Sequence, residues 1–250
     1  ACASGSNAIG EAMRLIRHGY ADAVITGGAE ASITPMAAAG FINCQALSLA
    51  TEPDEASLPF DKRRGGFVMG EGGVALVLEE YEHAKSRGAK IYAEVCGYGS
   101  TCDAYHITAP HPEARGGAEA MVQAMKEANF TDEDVVYVNA HGTGTPMNDK
   151  IETVAIKKAL GEDNANKAFV SSTKSMTGHM LGAAGAVEAL ACIKALEEGV
   201  IPPTINLKEQ DELCDLNCVP NTAVKAGITL ALSNSLGFGG HNACVAFAKI

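Results

Sequence analysis

Val135-Val-Tyr-Val-Asn-Ala-His-Gly-Thr-Gly-Thr-Pro146 decides the fold class, because an apolar run stops abruptly at a histidine and a glycine-rich turn. A run without polar alternation reads as a strand buried on both faces, which needs a helix layer on each side. Residues 116–129 and 150–160 flank it with helical patterning, and 168–171 follows as another short strand. Next, 181–198 predicts a helix whose opening Gly182-Ala-Ala-Gly-Ala186 is small enough for another backbone to approach closely. Pro202-Pro203 marks an extended turn, and 228–232 and 243–247 close the chain as strands. Working back, 91–97 reads as a strand, 81–87 as a helix stopped by Gly88, and 73–78 as a strand buried on both faces. Residues 51–64 are a polar loop. The first segment, 4–18, predicts a helix with Ala8, Ile9, Ala12, Met13 and Ile16 on one face, stopped by Gly19 and followed by a strand over 23–26. Strands and helices alternate, so the class is α/β, and the natural boundary divides residues 1–88 from 89–250.

Composition narrows the functional classes. With 250 residues and 47% hydrophobic content, the chain can bury a substantial core. A net charge of −11 disfavours nucleic acid, whose phosphates need a basic surface. No apolar run is long enough to span a bilayer. The chain starts inside a motif and without Met, so the reading expects a fragment of a longer protein. None of the eight cysteines forms a Cys-x-x-Cys pair, and Cys214 and Cys218 lack the second pair or histidines that a zinc site needs. Cys2 apart, they read as small buried hydrophobes in a reducing cytosol.

Five places carry chemistry. Cys2 opens a helix, where the dipole and free N–H groups favour a thiolate nucleophile. His141 sits at the C-terminal end of a strand, where α/β proteins build sites, and Thr143 and Thr145 beside it offer hydroxyls to a polar ligand arm. Lys174 and His179 lie in Ser171-Ser-Thr-Lys-Ser-Met-Thr-Gly-His179, between a strand and the small-residue helix. A histidine at a helix N-terminus stays neutral and can donate to a developing oxyanion. Finally, Asn234-Ser-Leu-Gly-Phe-Gly-Gly-His-Asn242 reads as a turn between the last two strands, able to aim N–H groups at an oxyanion, with Phe238 as a gate. Each residue alone also fits a structural role. One cysteine, two histidines and a lysine in separate long motifs make a constellation.

These segments, together with Asp61 to Glu71, resemble the β-ketoacyl-acyl-carrier-protein synthases, and among them the elongating type II enzymes of bacterial fatty-acid synthesis. The resemblance covers essentially the whole chain. It implies a thiolase-like αβαβα fold, incomplete at the N-terminus, with residues 1–88 ending its first half and 89–250 forming its second. It implies Cys2, His141, Lys174 and His179 as catalytic residues and an oxyanion hole from the N–H groups of Cys2 and Phe238. Thr143, Thr145 and Phe238 would bind substrate, with Glu152 as a supporting partner behind the site. Lys62, Arg63 and Arg64 are expected to help dock an acidic acyl-carrier protein. No cofactor or metal is implied beyond the phosphopantetheine carried by that partner. A homodimer in the cytoplasm is implied, without nucleic acid or membrane. Gly65 and Leu236 depart from the family pattern, which often has an acidic residue and Phe there. The competing readings are a non-catalytic chain-length factor, a polyketide ketosynthase, a thiolase and a cysteine hydrolase. The nucleophile argues against the first, and the short Thr173-Lys-Ser-Met-Thr-Gly-His179 form favours the free-standing fatty-acid enzyme over the second. The Lys174 motif favours decarboxylating condensation over the third, and nothing beyond the cysteine itself suggests the fourth.

Overall fold

The computed structural model describes residues 1–250. The chain runs α1 (Ser4–Arg17), β1 (Ala23–Glu30), α2 (Pro35–Asn43), β2 (Gly72–Glu79), α3 (Tyr81–Ser86) and β3 (Glu94–Cys102). It continues through α4 (Arg115–Glu127), β4 (Val136–Asn139), α5 (Asn148–Leu160), α6 (Glu162–Lys167), β5 (Phe169–Ser171) and α7 (Lys174–Thr177). Then come α8 (Ala184–Glu198), β6 (Val200–Ile201), β7 (Val224–Lys225), β8 (Leu230–Gly237) and β9 (His241–Ala248).

A five-stranded mixed sheet, ordered β3-β9-β8-β4-β5, forms the centre. β4 is parallel to β5 and β8, whereas β9 is antiparallel to β8 and β3. Period-two alternation sends successive side chains to opposite faces, and both faces are packed. From β4 and β9, Val136, Val138, Cys244 and Ala246 join one core cluster with Met121 of α4 and Ile156 of α5. Tyr137, Ala243, Val245 and Phe247 join another with Ile9 of α1 and Leu196 of α8. β1 and β2 pair with each other and close α1 and α8 in from the far side. The order of layers is therefore helices α4 and α5, sheet, helices α1 and α8, and the β1–β2 ladder. This is the layered α/β arrangement of the thiolase-like fold.

Several expectations need correction. β2 is not buried on both faces: its burial alternates, and Val77 is 65% exposed, beside Ile25 of β1 at 79%. β1 does not stop at Thr26 but runs through Gly27, whose left-handed φ of 142° lets Val74 O lie where a Cβ would stand. The helix over 181–198 opens as a 3-10 turn, Leu181–Ala183, before α8. α2 and α6 were not expected at all. β8 runs through Gly237, so the turn before β9 is only Phe238–Gly240.

Close packing follows from small residues at defined points. A Cβ on Gly5 would stand 2.7 Å from Ala186 N, and one on Gly185 would stand 2.2 Å from Ser6 Oγ. The backbone that the small-residue opening of α8 admits is the first turn of α1. Buried Ser6 Oγ and Ser235 Oγ, 2.9 Å apart, tie that turn to β8.

Candidate active site

Four remote segments meet at one end of the sheet. Cys2 precedes α1, His141 follows β4, His179 lies between α7 and α8, and Phe238 follows β8. The Cys2 sulfur and one nitrogen from each imidazole lie within 4.8 Å of one another. The two rings stand nearly perpendicular, 85°, with centroids 5.1 Å apart. All three residues are buried. They line a cavity of about 280 Å³ together with Thr143, Thr145, Leu236 and Phe238. A larger cleft of about 380 Å³ beside Leu49, Glu55 and Arg63 contains no cysteine or histidine.

The loop after β4 is held from below. Glu152, buried on α5, accepts the N–H of His141 and of Gly142, both at 2.7 Å, and the Asn234 amide at 2.8 Å. Asp149, one turn earlier, accepts the N–H groups of Phe60 and Gly144. Gly142 has a left-handed φ of 36°, and a Cβ there would stand 2.6 Å from the Ser172 Cβ. Thr143 and Thr145 share a hydroxyl contact of 3.0 Å. Lys174 is fully buried, pairs with Glu188 of α8, and accepts the Ser57 hydroxyl at its carbonyl. Burial pushes the Glu188 carboxyl up, to about 7, against the pull of Lys174.

Burial holds both imidazoles well below their usual value, with the Lys174 charge adding to the effect. The neutrality expected of His179 therefore comes from desolvation, not from a helix dipole. For Cys2 the expectation reverses. Burial raises its thiol, outweighing Lys174 and the N–H groups of Phe238 and Cys2 that favour the thiolate. Desolvation is the stronger effect, so the resting residue is a thiol. Those same N–H groups point at the sulfur, where an oxyanion hole would lie.

Lys62, Arg63 and Arg64 do not form a free cationic patch. Arg64 is buried, bound to Asp211 at 2.7 Å and to the carbonyls of Asp61, Thr145 and Pro146. Arg63 forks onto Asp61 with two contacts of 2.8 Å, and Lys62 sits between Glu209 and Glu212. Their charges are committed to folding the 51–64 loop against residues 206–212.

Sequence reasoning missed the aromatic wall. Phe67 stands edge-on to His179 at 5.1 Å, and Phe41 of α2 stands edge-on to Phe67 at 5.3 Å. The Thr34-Pro35 helix start was the one available signal for the element that brings Phe41 in.

Comparison with known proteins agrees with this geometry. The profile described as "Beta-ketoacyl synthase, N-terminal domain" matches residues 1–84, and "Beta-ketoacyl synthase, C-terminal domain" matches 92–208. The chain is 57% identical over 250 residues to a 3-oxoacyl-[acyl-carrier-protein] synthase 2 of Synechocystis, covering all of this chain and 60% of that protein. It is 52% identical to the Vibrio harveyi protein of the same name, with the same coverage. It thus spans about 60% of the length of these relatives. A β-ketoacyl synthase from Burkholderia phymatum superposes with a TM-score of 0.94 at 40% identity, over all of this chain and 60% of that one. A type II polyketide ketosynthase in complex with its acyl-carrier protein gives 0.95 at 40% identity, over all of this chain and 61% of that one. With both halves of one family matched in order along the chain, and relatives aligned from end to end of it, the chain belongs to the β-ketoacyl synthase family.

Proposed function

We propose that this chain carries the condensing centre of a 3-oxoacyl-acyl-carrier-protein synthase that elongates fatty acids. One observation carries the reading: a buried thiol faces two uncharged imidazoles across a cavity. In the first half-reaction the Cys2 sulfur attacks the thioester of an acyl-carrier protein. A new S–C bond forms, and the carrier's phosphopantetheine thiol leaves with a proton. The raised Cys2 thiol has a neutral ring nitrogen within 4.8 Å to receive its proton. The N–H groups of Cys2 and Phe238 stabilise the tetrahedral oxyanion.

In the second half-reaction malonyl-carrier protein occupies the cavity. His141 and His179 donate hydrogen bonds to its thioester oxygen. The bond to the carboxylate breaks, carbon dioxide leaves, and the enolate carbon attacks the acyl-Cys2 carbonyl. The Cys2 sulfur departs, and the 3-oxoacyl product remains on the carrier. Lys174 adds to the burial that keeps the imidazoles uncharged, and Glu152 positions the His141 backbone. Thr143 and Thr145 receive the pantetheine amides, and Phe238 gates the acyl pocket. The reading also takes residues 1–88 and 89–250 as parts of two related halves, and the working protein as a cytoplasmic homodimer. No helix here is long and apolar enough to cross a membrane.

A polyketide ketosynthase is the second reading, favoured by the TM-score of 0.95. The 57% identity to a 3-oxoacyl synthase, against 40% for that ketosynthase, supports the fatty-acid assignment. The test uses the full-length protein with acyl- and malonyl-carrier proteins. Cys2→Ala should abolish condensation. His179→Ala should abolish malonyl decarboxylation while some acyl transfer to Cys2 survives. Normal elongation by the Cys2 variant, or equal loss of both steps in the His179 variant, would sink the assignment.

A further inference from the structure

Cys2, His141 and His179 together form a ligand set as well as a reaction centre. One sulfur and two imidazole nitrogens within 4.8 Å match the donors that borderline-soft divalent metals prefer. A tetrahedral zinc ion with bonds near 2.0–2.3 Å sets its donors about 3.5 Å apart. Side-chain rotations closing the present separations by about 1 Å would meet that geometry. The fourth position opens into the cavity, as at three-ligand zinc sites that keep a water. The Nδ1 atom of each imidazole is buried without a hydrogen-bond partner, so neither ring is held to another group through that atom.

We propose that this cluster binds one thiophilic divalent cation of the zinc class, which caps the Cys2 sulfur. The S–H bond breaks, a sulfur–metal bond forms, the proton passes to solvent, and the ion loses bound water. No electron moves. The charges around the site set its strength. Lys174 opposes a cation, and its partner Glu188, with one oxygen buried and unpaired, offsets that charge. Ligating histidines normally pass their second N–H to a carboxylate or carbonyl, and losing such support typically costs about 10–100-fold in affinity. Neither imidazole here has that support, so the occupant is exchangeable.

This inference stands on ligand geometry and is independent of the condensing reaction. The probe is Co2+ added to the full-length protein. The expected result is one ion per Cys2, a near-ultraviolet thiolate-to-cobalt charge-transfer band and tetrahedral visible bands, all displaced by Zn2+. Cys2→Ser should remove the charge-transfer band. His141→Ala and His179→Ala should each weaken binding by at least about 10-fold, and Cys102→Ser on the surface should change nothing. In the unaltered protein Zn2+ should slow iodoacetamide alkylation of Cys2, read by peptide mass, which decides the matter even if a variant misfolds. A band that persists in Cys2→Ser, or alkylation of Cys2 unaffected by excess Zn2+, overturns the proposal. Either outcome leaves the condensing reading to its own test.

Discussion

Desolvation decides the protonation of Cys2, His141 and His179. It keeps His141 and His179 neutral and Cys2 a thiol, and for Cys2 it outweighs the favourable N–H groups of the helix start. Hydrogen bonds donated to an enolate need only the neutral rings, so the sign of the pH effect follows. Because both rings titrate well below 6.5, they remain neutral as pH falls through the range where a free imidazole protonates. Malonyl decarboxylation should therefore show no acid limb near pH 6.5, with loss only further down. A kcat/KM profile from about pH 5.5 to 8 checks this, and a break at the ordinary histidine value would contradict it. At this scale the sequence singled out Cys2, His141 and His179, because each stands in a long motif, and the structure brings the three together. It did not show their protonation, which depends on burial to which Phe67, edge-on to His179, contributes from elsewhere in the chain.

Among the elements, those with clear periodicity were legible. The predicted 4–18 helix is Ser4–Arg17, and the strand before His141 begins one residue later than read. α2 was not legible, since Pro35-Met-Ala-Ala-Ala-Gly-Phe-Ile-Asn43 is apolar nearly throughout and presents no single apolar stripe. β8 was read too short because Ser233-Asn-Ser235 resembles turn chemistry. In the structure these residues are buried, with Asn234 bonded to Glu152 and Ser235 to Ser6, so tertiary partners override local preference. The α1–α8 contact makes a prediction of its own. Gly185→Ala places a methyl against Ser6 and should cost about 1–3 kcal/mol by overpacking. Because α1 follows Cys2 and α8 follows His179, condensation should fall further than stability alone accounts for. Denaturant melts alongside kcat measure both, and an unchanged kcat would show that the contact does not set the spacing.

At the scale of the molecule, the alternation of strands and helices gave the α/β class and the resemblance gave the αβαβα layering, whereas the membership of each layer came only with the structure. Which helix lies in which layer depends on crossovers, and the pairing of β9 between β3 and β8 cannot be read from any local stretch. Val77 and Ile25, exposed on the outer face of the β1–β2 ladder, mark where the simple rule that apolar runs are buried on both faces failed.

Cys2 stands 139 residues before His141 and 177 before His179. No local stretch can organise them in advance, and closing such long loops is slow compared with forming helices. Refolding should therefore restore helical circular dichroism before Cys2 acquires its native shielding. Pulse alkylation during refolding would time that lag, so catalytic competence would serve as a clock for the final docking of the layers.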